Sequence, residues 1–544
     1  MRAQNEQLVE HTPEKATQSL WAPMREPLFA SLWLAMLVST TGTWMHETGA
    51  GWLMTSLTPS PSVVVLVQTA NTLPIFLFAL LAGALADRMD KRRFLITTNV
   101  VLACIVLAFS GLVSLGTVTP ATLVAFTFLI GTGAAFSAPA WQALVPDLVS
   151  GSNLRNALAL NSLGINISRA IGPAIAGFLI AAIGMSAPFL VNAASYLVVV
   201  VVLVLWRQER PVDSASDKHV EPLVSAMGVG LRHTLNNLPL RQTILRASAF
   251  FIAASSLWSL LPLVARALPN ATASLFGAMT ACIGAGAVFG ALMLPRLRER
   301  WDTNQIALGS AVLMTLVIPV LGSVQKQTLV FVVCALAGVA WIASLTLFNL
   351  SAQTALPAWV RARGLSIFLM AFFGSMTAGS LMWGQVAGHL GVPTAMVISG
   401  VVLAALTMVT RKIPLGSAET MDLSPSMHWP APTLILDEGE QDETGPVMIT
   451  IEYSVDKQHA KTFKTLMRAL RAERYRDGAY DWGLHRSSED TDVWLEWFLV
   501  GSWKEHLRQH QRVSKEDQKL QVQIRDLTQS SDAPRVRHWI APRF

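Results

Sequence analysis

Residues 74–93 read Pro74-Ile75-Phe76-Leu77-Phe78-Ala79-Leu80-Leu81-Ala82-Gly83-Ala84-Leu85-Ala86-Asp87-Arg88-Met89-Asp90-Lys91-Arg92-Arg93. An apolar run stops at one acid, and four bases follow within a few residues. A helix of about 20 apolar residues crosses roughly 30 Å of hydrocarbon. Bases collect where such a helix emerges on the cytoplasmic side. The stretch therefore reads as the inner end of one membrane span, a tight joint, and the first turn of the next span.

Outward from this joint the same grammar repeats. The chain has 544 residues, 52% hydrophobic and 14% charged, where soluble proteins carry about 25% charged residues. With a mean hydropathy of +0.44, it is neither a soluble globule nor a disordered chain. Apolar runs predict helices near 28–56, 62–86, 94–115, 120–145, 156–182, 186–206, 241–264, 273–295, 305–322, 328–350, 362–389 and 393–411. The one long joint between them, 207–240, splits the set six and six. Within it Leu223 to Leu240 reads either as an amphipathic helix on the membrane surface or as a plain linker.

Alternate joints are basic: Arg88, Lys91, Arg92 and Arg93; Arg155; Arg207, Arg210, Lys218 and Arg232; Arg296, Arg298 and Arg300; Arg361 and Arg363. Arg411 and Lys412 follow the last run, while the remaining joints offer only Arg266 and Lys326. The basic set faces the cytoplasm, which puts both chain ends there and requires an even number of spans. Twelve satisfies it. The net charge of +6 and the pI of 9.4 belong to these joints, so the expected partner is a lipid bilayer and not a nucleic acid. Cys104, Cys282 and Cys334 all sit inside apolar runs and read as buried hydrophobes, not as a disulfide set or a metal site. The first 26 residues are polar and do not read as a secretory signal peptide.

The halves echo each other. Gly83-Ala84-Leu85 recurs 207 residues later as Gly290-Ala291-Leu292, and Gly177 and Gly184 recur at the same offset as Gly384 and Gly391. Repeated halves are a transporter architecture with the solute site between them. Past residue 412 the composition changes. Residues 413–445 hold four prolines and the acidic run Asp437 to Glu443, a solvated tether. From Pro446, strand and helix patterns alternate in the order β-α-β-β-α-β, the ferredoxin-like arrangement.

The run Gly83 to Arg93 resembles the signature between the second and third spans of the major facilitator superfamily, Gly-x-Leu-Ala-Asp-Arg-x-Gly-Arg-Arg. It departs in carrying Asp90 for the second Gly, as in the branch of enterobactin-exporter-like and transmembrane secretion effector proteins. The resemblance implies a cytoplasmic gate, formed in one access state and broken in the other. It is built from Gly83, Asp87, Arg88 and Arg92, with Asp147 as the preferred partner and Gly83 permitting close helix approach. In the fifth span, Ala159, Ser168, Gly172-Pro173 and Ala176-Gly177 are similar to the family's antiporter motif, with small residues in place of several glycines. That likeness implies export. The tail, through Ser502-Trp503-Lys504-Glu505-His506-Leu507-Arg508-Gln509-His510, resembles the antibiotic-biosynthesis-monooxygenase-like group, which includes cofactor-free oxygenases and domains with no known reaction. His506 and His510 lie one turn apart, a spacing open to metal binding or to base chemistry, and the favoured expectation for them is a solvated helix face at a dimer joint.

An ionisable side chain at mid-span costs roughly 2.5–3.5 kcal/mol on insertion scales, so it faces a partner or a wet cavity. Three residues qualify: Glu47 as the expected proton carrier, Arg169 as its counter-charge, and His46 as a neighbouring titratable group. Gln68, Asn71, Gln142, Asn166, Asn349 and Gln353 are the expected polar cavity wall.

The expectation is thus an all-α membrane protein of twelve transmembrane helices in two six-helix halves, the major facilitator fold, plus a C-terminal α+β ferredoxin-like soluble domain. Its parts are a cytoplasmic tail 1–26, bundles 27–206 and 241–412 about a cytoplasmic linker 207–240, a tether 413–445, and a cytoplasmic domain 446–544. The expected function is export of a small amphipathic solute, siderophore-like or drug-like, by proton-coupled alternating access in the inner (plasma) membrane. No Walker loop, cofactor, metal site or catalytic constellation is expected, and the tail is expected to regulate or to join two copies as a homodimer. Three other readings stay open: a catalytic tail, a non-transporting receptor, and import.

Overall fold

The computed structural model describes residues 19–86, 89–150, 153–206, 223–416, 420–426, 428–429, 445–528 and 534–541. Asp87, Arg88, the acidic run 437–443 and most of the 1–26 tail lie outside them.

Among the described residues twelve helices are long and apolar enough to cross a membrane. The first half comprises α1 (Pro27–Leu57), the short α2 (Pro61–Val64) leading into α3 (Leu66–Ala86), α4 (Lys91–Ser114), α5 (Pro120–Leu144), α6 (Leu154–Ala182) and α7 (Ala187–Leu205). After α8 (Leu223–Asn236) come α9 (Leu238–Ala267), α10 (Ala273–Arg298), α11 (Thr303–Ser323), α12 (Gln327–Thr354), α13 (Arg361–Leu390) and α14 (Val392–Thr410). Their starts follow local chemistry. Thr119 with Thr122 and Asp302 with Gln305 form reciprocal capping boxes, and Asn237 and Thr272 cap the helices that follow them. Large apolar side chains such as Leu107, Phe178, Leu205 and Val409 point outward. A soluble protein does not tolerate so much exposed apolar surface, and lipid makes it favourable.

Within the first half α1 packs on α6 and α7, α4 on α7, and α3 on α5; within the second, α9 packs on α13 and α14, and α10 and α11 on α12. The halves meet along two equivalent seams, α6 against α10 and α3 against α13. The repeat explains both. Gly177 of α6 abuts the first turn of α10, and Gly384, 207 residues later in α13, abuts Val65 just before α3. The related glycines serve the two seams.

The tail runs β1 (Val447–Ser454), α15 (Ala460–Asp477), β2 (Asp481–Arg486), β3 (Val493–Val500), α16 (Trp503–Arg512), α17 (Lys515–Arg525) and β4 (Arg535–Ile540). Its antiparallel sheet has the order β2-β3-β1-β4, with Ile449 paired across to Phe498 on one side and His538 on the other. This is the ferredoxin-like order. Val447, Ile449, Ile451 and Tyr453 alternate inward along β1 onto Phe463, Met467 and Leu470 of α15. A buried carboxylate, Glu496, sits in this core and accepts from Arg474 at 2.9 Å, Tyr453 at 2.8 Å and Trp482 at 3.0 Å.

The tail is seated on the second half. α15 packs on α8, which in turn packs on α13. The His233 ring of α8 meets the Arg476 carbonyl oxygen at 3.1 Å, and the Arg512 guanidinium lies 4.3 Å from the ring centre of Trp359, in the joint before α13. α8 is therefore a docking helix between bundle and tail. The solvated-face expectation for α16 is corrected: His506 is 2% exposed and packs on Trp503 and His538.

Candidate functional site: a cavity between the two halves

Trp44, Glu47, Thr48 and Gly51 are spaced i, i+3, i+4, i+7, which puts them on one face of α1. That face lines a cavity together with Val64, Val67 and Gln68 from the second span, Trp258, Ser259 and Pro262 from α9, and Phe276 and Thr280 from α10. Both halves contribute to the wall. The cavity volume is about 60 Å³, room for a few waters and well short of the several hundred Å³ of a drug-sized site.

Glu47 lies well inside α1, ten residues before its end at Leu57. Its carboxylate accepts from the Asn71 amide at 3.1 Å. Arg169 of α6 lies with its guanidinium 5.2 Å from the Trp44 ring centre, and its buried Nε and Nη1 have no hydrogen-bond partner. Glu47 and Arg169 feel each other's charge without forming a direct ion pair. Trp44, Trp258 and Trp341 form an aromatic chain with ring centres 6.3 and 5.6 Å apart.

The remaining sequence-stated positions separate. Gln68 and Asn71 belong to this site. His46 does not: one residue from Glu47 on a helix means a rotation of about 100°, and its ring is buried against Phe109 and Phe189, with both nitrogens unpartnered. Gln142, Asn349 and Gln353 stand near the other end of the bundle, where the Gln353 amide donates to Asn349 at 3.0 Å. Asn166 donates back to its own helix at the Ser162 carbonyl, 2.8 Å away. A polar residue in a span must find a partner, and a carbonyl one turn back is often the nearest.

The gate residues need correction too. Among the described residues a Cβ built on Gly83 meets nothing within 4 Å, so none of them makes a close helix approach there. Asp147 pairs with Lys91 at 2.8 Å. Arg92 instead donates to the terminal carbonyls of α7, at Leu203 (2.7 Å) and Val204 (3.2 Å), where a cation complements the helix dipole. Asp90, the residue that departs from the signature, caps α4 by accepting from the Arg93 amide at 2.7 Å. Asp87 and Arg88 lie outside the described residues.

Close approach happens in the fifth span. A Cβ on Gly172 would fall 2.7 Å from the Trp44 Cβ, and one on Gly177 2.8 Å from the Ala273 carbonyl oxygen. The α10 glycines that face this span were not singled out from sequence: a Cβ on Gly277 would meet the Pro173 carbonyl oxygen at 2.5 Å, and one on Gly284 the Ala170 Cα at 2.5 Å. Gly277 and Gly284 are seven residues apart, one helix face, and that spacing was the available signal. The contacts between halves gather toward the 57–61, 182–187, 267–273 and 390–392 joints: Ser62 donates to the Gly384 carbonyl at 3.1 Å, and Thr72 meets Thr377 at 2.8 Å.

Comparison with known proteins agrees with this architecture. Residues 18–543 match the family described as transmembrane secretion effector. A staphyloferrin A transporter of Staphylococcus aureus is 26% identical over 73% of this chain and 99% of the relative. The multidrug efflux pump Tap of Mycolicibacterium fortuitum is 22% identical over 72% of this chain and 96% of its own length. Among solved structures, a bacterial homologue of the human lysosomal transporter Spinster, inward-facing and unoccupied, superposes with a TM-score of 0.57 at 14% identity, over 72% of this chain and 97% of that one. The nucleoside transporter NupG gives a TM-score of 0.53 at 12% identity, over 71% and 98%.

Proposed function

This chain belongs to the transmembrane secretion effector family, and we propose that it exports a small amphipathic solute, siderophore-like or drug-like, across the inner (plasma) membrane by alternating access coupled to proton entry. It is a multi-pass membrane transporter and not an enzyme. The observation that carries the finer reading is the one carboxylate among the described residues on the wall of the cavity between the halves, Glu47, facing an Arg169 with two free donors. Aromatic faces from Trp44, Trp258 and Phe276 beside Glu47, Gln68 and Thr280 suit a solute that is part apolar and part polar.

In this reading the basic joints are cytoplasmic and both chain ends lie inside. The seams close toward the opposite face, so the state is inward-facing with a contracted site. Loading a solute widens the cavity. Ionised Glu47 swings from Asn71 toward Arg169 in the other state, and a proton entering from outside neutralises Glu47, releases Arg169 and resets the halves. The tail regulates this cycle and joins two copies through the outer sheet face that carries Leu495, Trp497, Leu499 and Trp539.

The test is efflux from proteoliposomes under an imposed pH gradient, with staphyloferrin A and a cationic dye as probes. Flux that rises with the gradient, and loses that dependence in Glu47→Gln, supports the reading. Background flux for both probes overturns transport of these solute classes, and unchanged gradient dependence in Glu47→Gln removes Glu47 from coupling. Labelling that places the two chain ends on opposite sides overturns the topology.

A further inference from the structure

Helix α15 of the tail carries Glu473 and Asp477 four residues apart, on one face, and α17 brings Asp517 to them. Each of the three carboxylates offers one oxygen, and these oxygens all lie within 4.8 Å of one another. Glu473 and Asp477 are 2% and 3% exposed. The Asp517 side chain is 12% exposed and opens the cluster to solvent on one side.

We propose that Glu473, Asp477 and Asp517 form a binding site for a hard divalent cation of calcium's size.

Two observations carry the assignment beyond the gathering of acids. The first is an unsatisfied atom. Glu473 Oε1 accepts from the Gln521 amide, while its buried Oε2 has no hydrogen-bond partner among the described residues. A buried carboxylate oxygen without a partner is costly, and such a group is kept where a ligand uses it. The second is the charge balance. Among the described residues each nearby arginine is committed: Arg474 to Glu496 at 2.9 Å, Arg476 to Asp517, and Arg512 to Glu505 and to the Asp477 carbonyl oxygen at 3.0 Å. The Asp477 carboxylate reaches Arg476 Nε only at 3.9 Å. Glu473 and Asp477 are thus two buried carboxylates with no cation at hydrogen-bond distance, and one divalent ion cancels both.

Asp517 is the fixed corner of the site. One of its oxygens is held by Arg476, and the other accepts from the Ser514 amide at 3.0 Å and the Ser514 hydroxyl at 2.6 Å. Arg476 therefore offsets Asp517, and the uncompensated charge belongs to the α15 pair.

The donors set the class of ion. All are oxygens, which suit calcium, magnesium and manganese rather than the metals that favour sulfur and nitrogen. Calcium binds oxygen at about 2.3–2.6 Å, so oxygens on opposite sides of the ion stand about 4.6–5.2 Å apart, whereas magnesium holds them within about 4.2 Å. The 4.8 Å envelope admits the larger ion without drawing α15 and α17 together. Water completes the shell from the Asp517 side. Without the ion, burial and the like charge of Asp517 hold Glu473 well above the usual carboxylate range, and burial lifts Asp477 to about 7. Protons then take the place that a cation would fill. The site also lies beside the joint with the bundle, since the Arg476 carbonyl oxygen meets His233 of α8.

The experiment uses the full chain in detergent, stripped with chelator and titrated with Ca²⁺ at pH 8 by calorimetry. The expected result is saturation at one Ca²⁺ per chain, with Mg²⁺ bound at least about tenfold more weakly. Glu473→Gln and Asp477→Asn each weaken Ca²⁺ binding by at least about tenfold, whereas Glu489→Gln, at an exposed acid of the same domain, stays within about twofold of the parent. Ca²⁺ also raises the melting temperature of the parent and not of Asp477→Asn. In chelator both α15 variants melt at or above the parent, because each removes a buried charge that no cation faces, so lost binding is separated from lost folding. Absence of saturable Ca²⁺ binding overturns the proposal. So does binding that survives both Glu473→Gln and Asp477→Asn, or a parent melting temperature that Ca²⁺ leaves unchanged.

Discussion

Two buried charged sites, Glu496 with Arg474 in the tail and Glu47 with Arg169 in the bundle, are treated in opposite ways. Glu496 in the tail is fully buried and takes hydrogen bonds from Arg474, Tyr453 and Trp482. Arg169 in the bundle keeps two buried donors without any partner, and Glu47 is held by a single amide. A saturated buried ion has one arrangement and serves the fold. An unsaturated one costs stability and persists where the spare valence is used by a ligand, a proton or a second conformation. The same residue types therefore do structural work at one of these sites and are available for function at the other.

The largest expected effect breaks the structural side of that contrast. Glu496→Gln leaves the Arg474 charge buried and uncompensated, a loss of about 3–5 kcal/mol. Thermal melts and proteolysis of the full chain should show the tail opening while the bundle stays folded. Glu47→Gln, in contrast, removes an ionised group from a site that satisfies it poorly. It should leave the melting temperature unchanged or slightly raised. Equal destabilisation by the two variants would erase the distinction between them.

The seams between the halves come next. Gly284→Val would drive a side chain into the backbone of α6 at Ala170, and overpacking of this kind costs typically 1–3 kcal/mol. Since the contact joins the two halves, the expected result is a marked loss of transport with a smaller loss of expression, read by flux and by detergent melts. Gly83→Val, at a glycine where no described residue comes within 4 Å of an added Cβ, should change both far less.

How far the sequence could reach follows from the same physics. Span number was legible because apolar length and basic joints are local signals, and the repeat related Gly177 to Gly384 before the seams were visible. Glu47 and Arg169 stood out because charge inside a span is rare. Gln142, Asn166, Asn349 and Gln353 were not separable from Gln68 and Asn71, since a polar side chain in a span satisfies itself equally well one turn back or across a cavity. The contact of Arg512 with Trp359 had no local signal at all, because its partners are far apart in the chain and each looks like an ordinary surface residue.

The joint between tail and bundle predicts a pH effect. His233 is buried between Asn237, whose Nδ2 lies 3.2 Å from its Nε2, and the Arg476 carbonyl oxygen at its Nδ1. The natural reading is a neutral ring that donates at Nδ1 and accepts at Nε2. Burial, with Arg476 and Arg512 nearby, lowers it from 6.5 to about 3, while Asp517 pulls the other way. A lowered folded value means that its contribution is complete above pH 6.5 and is lost as pH falls toward 3, at most about 1.4 kcal/mol per unit. Asp477, raised by burial to about 7, acts oppositely: its contribution is complete below 3.8 and is lost as pH rises toward 7. Comparing the parent with His233→Gln isolates the first term. Protection of the α8 and α15 amides, taken relative to their intrinsic exchange rates at each pH, should fall between pH 7 and pH 5 more steeply in the parent than in the variant, and equal slopes would exclude His233.

The smallest effect concerns the basic joint. Lys91 and Asp147 are both in the first half, joining the start of α4 to the end of α5. An ion pair inside one half does not distinguish the access states, because a gate needs partners that separate. The side chains are 32% and 53% exposed, so screening holds their worth to about 0–1 kcal/mol. Lys91→Gln should then lower the melting temperature barely, and leave flux and its pH dependence where they were. Asp90→Ala removes a helix cap and should cost more, about 1 kcal/mol. A loss of flux in Lys91→Gln that is not matched by Asp90→Ala would reverse this ordering and return Asp147 to the gate.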